Sequence, residues 1–174
     1  MNSFSISQVS VIIDYTMKDV LGICDMLEAE YGVREWVRHN PPLDELVLTI
    51  LSQNTTSANC RRAFEGLRSA FPSWDDVRTA SPEQISESIR VGGLSEIKGV
   101  RIKRILHQVH DERGDLDLSW LERLPMEKAF GYLVGFDGVG GKTAACVLLF
   151  SLGQAALPVD RHVHRVARRI GLVS

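Results

Sequence analysis

The stretch that decides the fold is Leu133-Val-Gly-Phe-Asp-Gly-Val-Gly-Gly-Lys-Thr-Ala-Ala145. Apolar segments with helical spacing flank its glycines, which predicts two helices joined by a tight hairpin. The glycines permit positive φ and close approach of another backbone. Free N–H groups at the start of the second helix favour an anion there. The hairpin is therefore a candidate phosphate-binding site formed by Gly138, Val139, Gly140, Gly141 and Thr143.

The same glycines and lysine have two alternative interpretations. Its Gly-Gly-Lys-Thr resembles the end of the nucleotide-binding P-loop, G-x-x-x-x-G-K-[ST]. In that register the first glycine would fall at position 136, which is Phe136, and no β-branched strand precedes the turn. A purely structural glycine turn between packed helices stays open as the second alternative.

Helical spacing extends over most of the chain. Ser81, Pro82 and Gln84 give a helix start with a capping box, and the short apolar runs VLTI and VLLF both lie inside longer stretches of helical spacing. An all-α fold is therefore predicted. The predicted helices cover residues 14–31, 43–52, 57–71, 84–90, 95–112, 126–134, 143–153 and 161–171.

Composition excludes several classes of protein. No apolar run reaches the roughly 20 residues that span a bilayer, and the N-terminus lacks the features of an export signal. Cys24, Cys60 and Cys146 are isolated from one another. They fit neither a disulfide framework nor a metal site, and we expect them to be buried small hydrophobes of a protein in a reducing cytosol. No metal site is predicted.

The charge distribution says more than the net charge of −2. Residues 1–50 hold three basic and eight acidic side chains, whereas residues 142–174 hold five basic side chains and one acidic one. A basic terminal segment on an acidic body fits a local phosphate-facing surface. It fits a helix with a solvated basic face equally well.

Three more segments carry a resemblance to a known family. Ile50-Leu-Ser-Gln-Asn-Thr-Thr56, Gly92-Gly-Leu-Ser-Glu-Ile-Lys98 and Val159-Asp-Arg-His162 occur in matching order around the hairpin. With it they resemble the endonuclease III branch of the helix-hairpin-helix (HhH-GPD) DNA glycosylase superfamily. The resemblance covers about residues 43–172. It implies a barrel-like bundle of helices, with residues 1–40 as an N-terminal helical segment packed on the core and residues 41–174 as the glycosylase domain.

The resemblance implies base-excision chemistry. Lys142 occupies the position of the family's nucleophile, which attacks the sugar of a flipped-out damaged nucleotide and forms a Schiff base. A free lysine is mostly protonated at neutral pH, so the site must favour the neutral amine. A solvated surface lysine is disfavoured here, because a cation is poorly placed at the positive end of a helix dipole. Asp160 matches the catalytic aspartate, although by itself it is typical of a helix N-cap.

Further DNA contacts follow from the same resemblance. Gln53 is expected to fill the gap left by the flipped base, and Leu94 to wedge beside the estranged partner base. The alternatives are a hydrogen bond at a helix end for Gln53 and a core position for Leu94. His162 is placed near the DNA, in a supporting or structural role.

Several features depart from the family pattern. Asp137 and Arg161 stand where a proline and a threonine are usual, and Asp137 places a negative charge near the phosphate site. Close relatives continue through further helices and usually a 4Fe–4S loop. We therefore expect the C-terminal part of the fold to be missing from this chain, and no cofactor within it. The implied partner is double-stranded DNA with a damaged base or abasic site, bound by a cytoplasmic, nucleoid-associated monomer with no membrane contact.

The alternative function is a non-catalytic helix-hairpin-helix DNA-binding module, which an incomplete cleft would favour. The monofunctional, adenine-excising branch of the family lacks the hairpin lysine, so Lys142 disfavours it. The expected lesion is an oxidised pyrimidine or another damaged base.

Overall fold

The computed structural model describes residues 20–33 and 35–174, and in this part of the chain all regular secondary structure is helical. The predicted all-α fold is confirmed. The helices are α1 (residues 20–31), α2 (Pro42–Leu51), α3 (Ser57–Ala70), α4 (Trp74–Thr79), α5 (Pro82–Ser88), α6 (Ser95–Arg113), α7 (Met126–Val134), α8 (Gly141–Phe150) and α9 (Arg161–Arg169), with 3₁₀ helices at Arg90–Gly92 and Ser119–Arg123.

The core is built around α2 and α8, which pack against each other. Both helices are apolar on most of their surface, and a helix of that composition is stable only when neighbours cover it on several sides. Leu46, Ile50 and Leu51 of α2 are fully buried, as are Val147 and Leu148 of α8. Each such side chain contributes about 1.5–3 kcal/mol relative to an exposed one. The pair is therefore a rigid base for the hairpin that precedes α8.

Side-chain caps explain where several helices begin. Ser81 and Gln84 form the predicted capping box at the start of α5. Ser73 and Asp76 form another one at the start of α4, a helix that the sequence analysis did not predict. The Ser-x-x-Asp spacing was a usable signal, but six residues are too few to show helical periodicity.

The chain divides into two compact units. One unit is Val37–Pro158, which contains α2 to α8. The other combines the N-terminal segment up to Trp36 with Val159–Ser174. The division into domains 1–40 and 41–174 stays a prediction. In the described residues no helix combines the length and the apolar character needed to cross a membrane.

One expectation about burial was wrong. Cys24 is exposed, whereas Cys60 and Cys146 are buried as expected. On α6, Ile97 is exposed while Ile105 is buried. Helical spacing defines a face, and the tertiary contacts decide how much of that face is covered. Residues 14–19 of the first predicted helix lie outside the described residues.

Candidate functional site

The hairpin between α7 and α8 has the conformation that its glycines predict. Gly138 has φ +73°, and the Val139 N–H donates to the Phe136 carbonyl at 3.1 Å. Gly140 is extended and occupies the N-cap position of α8, where no side chain of the described residues caps the helix. The first-turn N–H groups of α8 are therefore open to an external anion.

The predicted site residues in the hairpin fall into two groups. Gly138, Gly140, Gly141 and Lys142 are exposed, whereas the side chains of Val139 and Thr143 are buried. A contact between Thr143 and DNA would thus use its backbone N–H. Val139 contributes its side chain to the core, which fixes the hairpin on the body of the unit.

Lys142 lies in the first turn of α8 with its side chain exposed to solvent. Its charge acts on Cys60 of α3. Burial raises the pKa of the Cys60 thiol, and the nearby cations Lys98, Arg61 and Lys142 oppose that rise. An exposed amine at this position is accessible to a substrate.

Gln53 connects three segments of the same unit. Its side-chain amide donates from Nε2 to the Gly138 carbonyl at 3.3 Å, and its Oε1 accepts a bond from Arg101 of α6 at 3.1 Å. The Arg101 side chain also covers Gly138 so closely that a Cβ at position 138 would overlap it. Arg101 could not be identified from the sequence, because an arginine on an otherwise ordinary helix gives no local signal.

Asp137 is paired with a cation. Its carboxylate accepts from Arg104 of α6 at 3.2 Å, and both side chains are largely exposed. The ion pair offsets part of the negative charge that Asp137 places near the candidate phosphate site. Screening by solvent keeps this effect small.

Two exposed residues adopt the left-handed backbone conformation. Asn54 has φ +53° and Leu94 has φ +52°, and they are the non-glycine residues with positive φ among those described. Such a conformation costs roughly 1–2 kcal/mol for a residue such as leucine, whereas asparagine tolerates it better. Leu94 is 51% exposed, so the core alternative for it is excluded. Asn54 was not identified from the sequence, where it stands next to the more conspicuous Gln53.

A cavity of about 500 Å³ lies between the segment before α2, the turn after it and α3. Asn40, Ser52, Cys60, Arg61 and Glu65 line it together with Leu48, Thr55, Ser57 and Phe64. Polar groups and apolar walls are therefore both present. A second cavity, of about 750 Å³, belongs to the other unit and is lined mainly by apolar residues of α1 and by Ile170.

Asp160 and His162 lie in that other unit, at the start of α9. The Asp160 carboxylate accepts from the N–H groups of His162 and Val163, both at 2.8 Å, so Asp160 is the N-cap of α9. His162 shares a hydrogen bond with Arg165 at 3.0 Å. The helix exposes the basic side chains Arg161, Arg165, Arg168 and Arg169.

The described residues offer no set of ligands for a metal ion or cluster. Cys24, Cys60 and Cys146 are free, and no group of three or more His, Cys, Asp or Glu side chains is arranged to hold a metal within the described ranges. They therefore do not fit the iron–sulfur cluster of the family's C-terminal loop.

Two apolar helices joined by a glycine hairpin, with a lysine on the first turn of the second helix, define a helix-hairpin-helix protein. Residues 47–174 match the model of the HhH-GPD superfamily of base excision DNA repair proteins. The chain belongs to this superfamily and is endonuclease III-like.

The curated relatives agree. The chain is 47% identical over 131 residues to a putative DNA glycosylase of Arabidopsis thaliana. The matched residues make up 75% of this chain and 45% of that protein. It is 32% identical over 139 residues to endonuclease III of Thermotoga maritima, covering 78% and 60% of the two proteins. The chain thus spans about half the length of these relatives.

A solved structure supports the fold. A trapped covalent intermediate of endonuclease III with DNA, described as an estranged-adenine complex, superimposes with a TM-score of 0.68 at 24% identity. The match covers 99% of this chain and 72% of that one.

Proposed function

We propose that this chain belongs to a bifunctional DNA glycosylase and abasic-site lyase, with Lys142 as its nucleophile. The observation that carries the proposal is the exposed lysine on the first turn of α8, where no side chain of the described residues caps the N–H groups. A phosphate of the DNA backbone held by these N–H groups would bring the neighbouring sugar to the amine.

The proposed reaction takes place between the amine of Lys142 and the sugar of the flipped-out nucleotide. The neutral amine of Lys142 attacks C1′ of the flipped-out nucleotide, and the bond between C1′ and the base breaks with transfer of a proton to the base. The resulting adduct opens to an imine between Nζ and C1′. Loss of a proton from C2′ then breaks the C3′–O bond and releases the 3′ phosphate, and water hydrolyses the imine to restore the lysine.

The relatives support this assignment. One is a putative DNA glycosylase, and one solved endonuclease III structure is a covalent intermediate with DNA. The cavity of about 500 Å³ is a candidate for the flipped base, because it combines polar groups with apolar walls. On the basis of the V-D-x-H motif, we assign Asp160 as the carboxylate that stabilises positive charge on the sugar.

The gap left by the flipped base needs a side chain to fill it. Gln53 stays a prediction for this role, but its amide is engaged by Gly138 and Arg101 at both ends. Asn54 is exposed and holds a left-handed conformation in the turn that follows α2. We therefore propose Asn54 beside Gln53 for the gap and Leu94 for the partner base.

Borohydride trapping tests the nucleophile. Borohydride reduces the imine to a stable amine, so intact protein incubated with abasic-site duplex should form a covalent adduct. Lys142→Gln should abolish the adduct and leave DNA affinity within a few-fold, because phosphate contacts dominate binding. Lys128→Gln, at an exposed position on α7, is the matched control and should trap as the wild type does.

Persistent trapping by Lys142→Gln would show that another amine is the nucleophile. Binding of abasic-site duplex without any adduct from the wild-type chain would favour the alternative, a non-catalytic DNA-binding module. A panel of duplexes with single lesions, scored by release of the base, identifies the substrate if the adduct forms.

A further inference from the structure

Lys98 is a buried lysine that the proposed chemistry does not use. It lies in the first part of α6 and is 1% exposed. Its Nζ donates to the carbonyl of Leu51 at 2.8 Å and to the carbonyl of Gly92 at 3.0 Å. Burial lowers the pKa of Lys98. A buried ammonium is costly unless it is hydrogen-bonded, so these two contacts define its role.

The two carbonyls end two different helices. Leu51 is the last residue of α2, and Gly92 is the last residue of the 3₁₀ helix before α6. Carbonyls at helix ends have no partner within their helix and carry the negative end of the dipole. A single cation between two such ends is therefore favourable to both.

Each of these helix ends leads directly into one of the strained residues. Asn54 follows Leu51 by three residues, and Leu94 follows Gly92 by two. The Nζ atom of Lys98 is thus hydrogen-bonded to both segments that carry an exposed residue with a left-handed backbone conformation. Each segment has a further link to α6, since Arg101 bonds Gln53 and Leu94 is the N-cap of α6, but the Lys98 ammonium contacts both segments at once.

We infer that Lys98 is a positioning residue that sets the separation of Asn54 and Leu94. The inference rests on the proposed function in one respect, namely that these two side chains occupy the space around an estranged base. Two groups that enter one distorted base pair must be held within about 0.5 Å of the productive geometry. A rigid link between their two segments meets that requirement.

Lys103 provides a matched control on the same helix. Its Nζ donates to the carbonyl of Arg78 at 2.8 Å and to that of Ala80, so it also bridges two backbone carbonyls. Those carbonyls lie at the end of α4 and not before Asn54 or Leu94. Lys98→Met and Lys103→Met therefore remove the same kind of contact at different places.

The experiment uses the full chain and a duplex with an uncleavable tetrahydrofuran abasic-site analogue opposite 2-aminopurine. Fluorescence of 2-aminopurine rises when the base loses its stacking, and the amplitude at saturating protein reports estrangement independently of catalysis and affinity. The wild type should raise the fluorescence. Lys98→Met should reduce the estranged population by about tenfold, as Leu94→Ala should, while Lys103→Met should leave the amplitude unchanged.

Non-additivity completes the test. Lys98→Met combined with Leu94→Ala should cause no more loss than either change alone, because both act on the same insertion. Lys98→Gln, which keeps a donor, should be intermediate and replaces the methionine variant if that protein does not fold. Equal amplitudes for Lys98→Met and Lys103→Met, additive losses, or no rise with the wild type would each overturn the inference.

The trapping and fluorescence experiments distinguish failure of the proposed function from failure of the positioning role of Lys98. If the wild type traps abasic DNA but does not raise the fluorescence, the chemistry stands and the positioning role is wrong. If it raises the fluorescence in a Lys98-dependent way without trapping, the positioning role stands in a binding module.

Discussion

The N-cap residues of α8 and α9 share one backbone conformation, but only the α9 residue has a side chain that caps its helix. Gly140 caps α8 with φ −95° and ψ 179°, and Asp160 caps α9 with φ −95° and ψ 178°. The Asp160 carboxylate accepts from the N–H groups two and three residues further on. Gly140 has no side chain to do so, and the equivalent groups of α8 belong to Lys142 and Thr143.

The difference shows how one structural element serves two purposes. At α9 the anion that the helix dipole favours is part of the chain, so the helix start is satisfied internally. At α8 the place of that carboxylate is open to an external anion, and the residue beside it is the candidate nucleophile. We therefore expect the N-cap residue to determine whether each helix start can bind an external anion.

The largest effect is expected at Asp160. Asp160→Asn keeps the cap, because asparagine caps as well as aspartate does, but it removes the charge. If Asp160 assists catalysis, the rate of adduct formation with abasic DNA should fall by about 10²-fold or more. Stopped reactions under single-turnover conditions measure that rate, and thermal unfolding should show little change.

Asp160→Ala separates the two roles further. It should cost an additional ~1 kcal/mol of stability, since the N–H groups of α9 lose their cap. A full rate of trapping with Asp160→Asn would reduce Asp160 to a helix cap and contradict its catalytic assignment.

The next effect is expected when α8 is given the cap of α9. A Cβ on Gly140 meets no atom within 4 Å, so Gly140→Asp fits the backbone as it stands. Its carboxylate should occupy the N–H groups of Lys142 and Thr143 and compete with a phosphate. We expect DNA affinity to fall by about tenfold, with a shallower dependence on salt, while α8 gains a few tenths of a kcal/mol.

Binding titrations at several salt concentrations check this expectation. Gly140→Ala is the control, because it adds the Cβ without a cap and should bind DNA nearly as the wild type does. Unchanged affinity of Gly140→Asp would mean that the start of α8 does not hold a phosphate.

The smallest effect concerns the turn that presents α8. Gly138 has φ +73°, and a Cβ there would overlap the Arg101 side chain. Gly138→Ala should therefore destabilise the protein by about 1–2 kcal/mol, measured as the free energy of unfolding in denaturant. Gly140→Ala, at negative φ, should cost less than half as much. Equal costs would show that the positive φ at 138 does not hold the turn in place.

Much of the fold could be predicted because its signals are local. The capping box of Ser81 and Gln84, the glycine turn before α8 and the apolar spacing of α2 depend on neighbouring residues only. The short α4 was missed because six residues give too little periodicity, although Ser73 and Asp76 mark its start. The exposure of Cys24 and Ile97 was not predictable from spacing, since burial depends on which other segments cover a face.

The candidate site divides in the same way. The sequence by itself determined the hairpin, the place of Lys142 at the start of the second helix and the cap at Asp160, because each depends on residues within one turn of a helix. Only the tertiary structure showed that Gln53 is held by Gly138 and Arg101, and that Lys98 joins the segments before Asn54 and Leu94. These contacts link residues far apart in the chain, and packing alone brings such residues together.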